Sequence, residues 1–555
     1  MGGAATSFDC ALAQITPDAT LGAERSVVTP TNIYGLPSDR IDGGAQRGAN
    51  LFHSFREFNV DSGRGAYFAN PAGIENIISR VTGSNASNIF GKLGVLGNAN
   101  LFLINPNGII FGPNASLDVG GSFVASTASS LKFADGTEFS ATAPQTIPLL
   151  TIRMPIGLQF GGNPGSILNQ SQATDGNGNP VGLQVQPGRT LALVGGDVAL
   201  LGGSLTAQGY MTAVGGRIEL GSVAGPSSVG LTHIDKGWSL GYEGVSTFGD
   251  IQISGAGVVA SGVGGGDIQV RASQVALTNG SHIEDNNNPP STVANAQGSE
   301  TGGTVNVTAA DSVQVIGGSR IFARPFSDGA GGNLNIATGK LLVSGESYIS
   351  TSNFHGQGRA GNLSVNAPDS VQVMGPPPAD QKSSLSTDTY TSGAGGNLTI
   401  TTGKLLLSDE GNLTANVYDR GQGGNLSVNA SSVELIGSSL RAQTYGDGAG
   451  GNLTIATGKL LVSGGSDIST TTYDQRGRAG NLSVNASDSV QVMGTSADGQ
   501  TPSGLFADSR GAGAAGDLTI STGKLIVLNG LSGAENSRAV WLGESDYLGE
   551  LNPTV

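Results

Sequence analysis

From Thr190 onward one phrase recurs and limits what this chain can fold into: Gly-(Asn/Asp)-(Leu/Ile)-x-(Ile/Val). Its polar position is Asp267, Asn333, Asn362, Asn397, Asn425, Asn452, Asn481 and Asp517, with Thr304 as a variant and earlier versions beginning at Asp197 and Asp250. The intervals run from 27 residues (Asn425 to Asn452) to 37 (Asp267 to Thr304). The longer intervals hold visible insertions: Asp285 to Pro290, Pro376 to Ser383 and Thr495 to Ser503. Self-similarity at such a period marks stacked repeats.

One unit, Gly451 to Gly480, shows what is stacked. It reads as a strand at Asn452–Ile455, a second at Lys459–Val462, a third at Asp467–Thr470, and a connecting loop. Leu453 and Ile455 share a face by the period-two rule. So short a strand cannot bury that face alone, but parallel stacking on the next unit can. The units alternate between two flavours, one with Ala456-Thr-Gly-Lys-Leu-Leu-Val and one with Asn366-Ala-Pro-Asp-Ser-Val-Gln-Val. The fold expected is all-β, a right-handed parallel β-helix (solenoid) with an N-terminal cap. Asn333, Asn362, Asn397, Asn425, Asn452 and Asn481 are expected to stack as a structural ladder of hydrogen-bonded amides. Asn and the Gly before it are also expected to supply the left-handed backbone of a sharp corner.

Composition agrees. Gly accounts for 91 of 555 residues, charged residues for 12% and aromatics for 5%, which suits short strands and tight turns better than a globular enzyme core. The net charge is −15 with no Lys/Arg cluster, so nucleic acid is excluded as a partner. The lone cysteine, Cys10, forms no intramolecular disulfide, and no apolar run is long enough for a spanning helix. The histidines (His53, His233, His282, His355) are scattered, and no nucleophile triad, metal spacing or phosphate loop is present. Gly264-Gly-Gly-Asp267 resembles calcium-binding glycine repeats, but their nine-residue period is missing. The expectation is a non-enzyme without cofactor or metal.

The first part of the chain is different. Leu51, Phe52, Phe55 and Phe58 give it aromatic bulk suited to capping a stack, and Leu101–Thr127 packs three short strands and three turns into one compact coil. Phe55-Arg-Glu-Phe-Asn-Val60, Ile77-Ile-Ser-Arg-Val-Thr-Gly83, Asn105-Pro-Asn-Gly-Ile109 and the run from Gly112 to Thr127 resemble the N-terminal secretion domain of filamentous haemagglutinin-like proteins, the exported partners of two-partner secretion. Gln14 to Pro30 resembles the start of their mature chains. By that resemblance Asn105, Pro106, Asn107, Gly108 and Ile109 form a secretion motif. A second family motif, Asn-Pro-Asn-Leu, is present only as Asn70-Pro71-Ala72-Gly73.

The resemblance implies export through the periplasm of a diderm bacterium by an outer-membrane β-barrel transporter, to a secreted or cell-surface location. It also implies an adhesin-like role with a host, cell-surface or polysaccharide ligand. A β-helix enzyme acting on polysaccharide and the stalk of a truncated toxin are the alternatives. The expected organisation is a residual signal-peptide end at 1–13, the secretion domain at 14–140, an irregular transition at 141–189, a repetitive rod at 190–530 and a tail at 531–555.

Overall fold

The structure, a computed structural model, describes residues 15–541 except 146–149, 175–177, 179–181, 207–214, 236, 263–264, 286–301, 325–327, 355–356, 376–381, 474–475 and 529–537. The signal-peptide end at 1–13, most of the insertions after Asp285 and Gly375, His355 and most of the tail at 531–555 lie outside the described residues. The chain divides into two compact units, residues up to 206 with 219–250, and 207–218 with 251 onward. Both are parallel β-helices. Among the described residues the one helical turn is Gly22–Glu24.

In the first unit Ser26–Ile33 and Leu36–Gly43 pair antiparallel. The turn between them is Tyr34-Gly35, both at positive φ (53° and 81°), the two-residue geometry that matches strand twist. Parallel coils follow. Asn50–Glu57, Asn76–Val81, Asn100–Ile104, Phe123–Ser126 and Thr190–Gly195 form one face. Ser87–Ile89, Ile109–Phe111, Ile167–Asn169 and Val198–Leu201 form a second. Gly65–Ala69, Lys92–Leu96 and Ser116–Asp118 continue from the hairpin as a third.

Asn50–Glu57 is buried on both sides over six of its eight residues. Its outer side is covered by an antiparallel sheet built from Ser130–Phe133, Glu138–Ser140, Pro155–Phe160, Ser227–Ile234 and Gly237–Gly244. That sheet packs Leu131, Phe139, Leu158 and Trp238 against Phe52, Phe102 and Val124. Trp238 is fully buried and meets Phe102 edge-on at 5.3 Å. Part of the stretch read as a transition thus belongs to this sheet, through Pro155–Phe160, and part is a coil strand, Ile167–Asn169.

In the second unit most described coils have one long strand and one short one, and at Asn333–Ala337 with Lys340–Ser344 and at Asp517–Thr522 with Leu525–Leu528 the long strand is split in two. Leu363, Leu398, Leu426, Leu453, Leu482 and Leu518 stand in a single column, with Val365, Ile400, Val428, Ile455, Val484 and Ile520 in the next. Each side chain buried this way contributes about 1.5–3 kcal/mol, a gain that exists only once the neighbouring coil is in place. The short strands, such as Asp467–Ser469, pair with one another in a separate parallel sheet.

Two expectations need correction. The strands read at Asn452–Ile455 and Lys459–Val462 are one strand, Leu453–Ser463. The inward side changes parity between Ile455 and Leu460, and the ladder absorbs it by skipping Gly458, so no turn is needed. The repeated Asn does not adopt a left-handed backbone. Positive φ outside glycine occurs, among the described residues, at Tyr34, Asn279, Glu346, Asp409 and Glu410, and the glycine before each repeated Asn is not left-handed either.

Candidate functional site

The Asn105–Ile109 corner is built from the inside out. The Asn105 side chain is fully buried. Its Nδ2 donates to the Ser87 hydroxyl at 2.9 Å and the Asn85 carbonyl at 3.0 Å, while its Oδ1 accepts from the Asn107 amide at 3.0 Å. The Gly108 amide closes the turn on the Asn105 carbonyl at 3.2 Å. Gly108 has φ 123°, a conformation that L side chains rarely adopt. The Pro106 carbonyl accepts from the Gly165 amide at 2.8 Å, and a Cβ on Gly165 would lie 2.4 Å from the Asn107 carbonyl carbon. Ile109 is buried between Ser87 and Ile167 in the stack. Pro106 is half-buried and Asn107 is exposed, with its Nδ2 on the Gly83 carbonyl at 2.8 Å.

Asn70 and Pro71 open a second corner, closed by Gly73 at φ 81°. In the orientation that satisfies both ends of its amide, Asn70 donates to the Ile74 and Pro71 carbonyls and accepts from the Ala99 and Asn98 amides, at 3.2–3.3 Å. Pro71 is exposed. Both Asn-Pro corners therefore use the first Asn as an internal brace to the neighbouring coil.

The first unit also buries Arg80, from the Ile77–Gly83 motif. It donates to the Ser54 and Thr20 hydroxyls at 2.9 Å and the Ser140 carbonyl at 2.6 Å, and lies 4.0 Å over the Phe139 ring. Burial lowers its pKa to about 10, partly opposed by Asp18. His53 is buried beside Phe68, with Nδ1 3.0 Å from the Ser26 hydroxyl, and burial pushes it down to about 3. His233 instead packs on Trp238 at 5.3 Å. Among the described residues no three His, Cys, Asp or Glu side chains gather where they could hold a metal, and no helix is long and apolar enough to cross a membrane.

In the second unit Asn333, Asn362, Asn397, Asn425, Asn452 and Asn481 do stack, with a different bond from the one expected. Each Oδ1 accepts from the backbone amide of the next polar residue, at 2.9 Å every time, and the run ends on the Asp517 amide. The glycine beside it is required by a close approach. A Cβ on Gly424 would sit 1.7 Å from the Gly396 carbonyl oxygen, and one on Gly451 1.8 Å from that of Gly424. Amide-to-amide stacking occurs in the first unit, at Asn50, Asn76 and Asn100, with bonds of 3.1 and 3.0 Å.

A column of aromatics was missed. Phe354, Tyr390, Tyr418, Tyr445 and Tyr473 stack with centroids 4.5, 4.3, 4.9 and 4.9 Å apart, the last four rings parallel within 3°. The tyrosines are 36–39% exposed. Arg324 covers the free face of Phe354 at 4.8 Å and Arg510 that of Tyr473 at 5.1 Å. Beneath the rings runs a buried polar column, Ser352, Asp388, Asn416, Gln443, Thr471 and Asp508. The Tyr445 hydroxyl donates to Gln443 Oε1 at 2.6 Å, and the Gln443 amide donates to the Tyr473 hydroxyl at 3.4 Å. Burial raises the phenol pKa values of Tyr390, Tyr418 and Tyr445, the last to about 12, so these three stay protonated. The signal was in the sequence: in five successive coils an aromatic follows the inward residue of the short strand at one offset, Ile349 then Phe354, Leu385 then Tyr390, Leu413 then Tyr418, Leu440 then Tyr445, and Ile468 then Tyr473.

Residues 13–270 match the family model described as the TPS secretion domain. The chain is similar to the crystal structure of the HMW1 secretion domain from Haemophilus influenzae, at 14% identity and a TM-score of 0.36, with 91% of this chain and 100% of that chain covered. It is also similar to the crystal structure of a filamentous hemagglutinin secretion domain, at 14% identity and a TM-score of 0.31, with 67% of this chain and 96% of that chain covered. No curated protein sequence matches. The family match extends well past residue 140, where the motifs alone had drawn the boundary, and covers the five strands of the antiparallel sheet. Over residues 13–270, a little under half of its length, the chain is therefore similar to the TPS secretion domain family.

Proposed function

We propose that this chain is a secreted or surface-displayed, adhesin-like exoprotein, exported by its N-terminal domain through an outer-membrane β-barrel partner of a diderm bacterium. In this reading the repeat-bearing unit serves a non-catalytic role in adhesion or surface structure, toward a host, cell-surface or polysaccharide ligand. The observation that carries the reading is the corner at Asn105–Ile109 inside a domain of the matching family. Asn105 is spent internally on holding the turn, and Asn107 is left facing solvent where a partner could read it. Asn70-Pro71 repeats that division with an exposed proline.

The test is co-expression with a two-partner transporter, scoring export of the wild type, Asn107→Ala and Asn105→Ala. The expected outcome is transporter-dependent export, reduced at least fivefold by Asn107→Ala while the purified variant unfolds like the wild type. Asn105→Ala should instead lower stability, since removing it leaves the Asn107 amide and the Ser87 hydroxyl short of a partner, at about 1–3 kcal/mol per buried group. Export that is independent of the transporter, or indifferent to both substitutions, defeats the reading.

A further inference from the structure

We propose that the aromatic column of the second unit is a binding strip for flat, elongated, conjugated aromatic molecules, which lie face-down across the tyrosine edges and along the direction of stacking. None of its residues takes part in the secretion reading.

The geometry selects the ligand by elimination. The ring faces are taken, since each is covered by the next ring at 4.3–4.9 Å. The two outer faces are covered by the Arg324 and Arg510 guanidinium groups. A sugar, which stacks its C–H face on a ring face, finds none free, and neither does a cation. The Tyr445 hydroxyl is turned inward onto Gln443, and Tyr418 and Tyr473 take donors from Asn416 and Gln443. With the faces covered, the 36–39% of each tyrosine that remains exposed lies at the ring edges. A ring edge is the positive end of the aromatic quadrupole, and its preferred partner is the negative face of another π-system in a T-shaped contact.

The arrangement also selects shape. The parallel rings align their edges into a flat, periodic surface, so a rigid planar molecule meets several edges at once and a compact one meets only one or two. In the turns after Tyr390, Tyr418 and Tyr445 the backbones of neighbouring coils come into close contact. Gly393, Gly421 and Gly448 are stacked so tightly that a Cβ on Gly421 would lie 2.1 Å from the Gly393 carbonyl, and one on Gly448 2.1 Å from that of Gly421. Stacking of ring on ring holds the column in place before a ligand arrives, so little order is lost on binding.

Thioflavin T, a planar conjugated rod, is the probe, titrated into the full chain at moderate salt and read by fluorescence and equilibrium dialysis. One molecule per chain should bind with increased fluorescence. Tyr418→Phe with Tyr445→Phe keeps the ring edges and should bind within twofold of the wild type. Tyr418→Leu with Tyr445→Leu keeps an apolar surface without ring edges and should lose affinity at least tenfold, with Tyr34→Leu, elsewhere and exposed, as the unaffected control. Should the double leucine variant not fold, hydroxyl-radical footprinting of the wild type decides. Protection by the probe confined to Tyr390, Tyr418, Tyr445 and Tyr473, with Tyr34 unprotected, supports the strip. Uniform protection, no saturable complex, or wild-type affinity in a folded leucine variant overturns it. A phenylalanine variant that fails to bind overturns it too, because recognition would then lie with the hydroxyls.

Discussion

Asp388 is a buried carboxyl lying beneath the tyrosine column. Its Oδ1 accepts from the Asn416 amide at 2.6 Å and its Oδ2 from the Thr414 hydroxyl at 2.9 Å. Burial outweighs those two bonds and raises its pKa to about 6. The unfolded chain titrates this group near 3.8, so the folded protein holds the proton more tightly. Its contribution is therefore complete below pH ~3.8, shrinks as pH rises toward 6, and is lost above that. Asp388→Asn is isosteric and keeps an acceptor for Asn416. It should remove this slope and stabilise the second unit at pH 7 by about 1–3 kcal/mol, read from urea unfolding at pH 4.5 and pH 7. A variant with the wild-type pH slope would show that the carboxyl is ionised, and stabilised by its two donors, at neutral pH. Neighbouring positions in the column, Asn416 and Gln443, do the same job without a charge, each passing its side-chain oxygen or amide to an adjacent coil. Unlike Asn416 and Gln443, Asp388 fits in a way that depends on acidity.

At the scale of one coil, two kinds of glycine can be told apart by substitution. Gly424 has an ordinary backbone but no room, with the Gly396 carbonyl oxygen 1.7 Å from where a Cβ would stand. Gly494 has room but a left-handed backbone, φ 74° with nothing within 4 Å. Gly424→Ala must push two coils apart and should cost 3 kcal/mol or more, on the order of the worst overpacking changes. Gly494→Ala should cost about 1 kcal/mol. Hydrogen exchange on Leu398–Ser408 and Leu426–Ile436 should lose protection in the first variant and keep it in the second. This difference is also why the repeat was only partly legible in the sequence. Leu453 and Ile455 declare an inward face by alternation, and Gly-Asn declares a recurring constraint, but the letters do not say whether a glycine answers to its own φ or to an atom of the coil beside it. The antiparallel sheet was harder still. Gly157 opposes Gly230, and Trp238 lies over Phe102, pairings between residues far apart in sequence that leave no local period. At the secretion motif the corner was readable from Asn-Pro-Asn-Gly. The split between a buried Asn105 and an exposed Asn107 was not, because it depends on where Ser87 and Asn85 lie.

At the scale of the whole molecule, a stack of near-equivalent coils should tolerate loss of a matched pair. Excising residues 425–480 joins Gly424 to Asn481, preserves the recurring phrase and offers the Asn397 oxygen the Asn481 amide. That variant should fold with its β circular dichroism intact and a melting shift of only a few degrees, as expected when stability sums over neighbouring repeats. Excising 425–465 instead brings Asp467 to the place of Leu426 and Ile468 to that of Ser427, a short strand where a long one belongs, and should give insoluble or protease-sensitive protein. Equal behaviour of the two deletions would mean that register is not what holds the stack together. One further consequence lies in the direction of the asparagine ladder. The acceptor always sits on the coil earlier in the chain and the donor on the later one, from Asn333 through Asn481. A growing stack therefore ends in an acceptor waiting for chain that has yet to arrive. If such a chain is delivered N-terminus first through a narrow opening, each coil laid down acts as a pawl. Thermal wandering of the unfolded remainder is rectified into one-way travel, with no fuel other than the coils themselves.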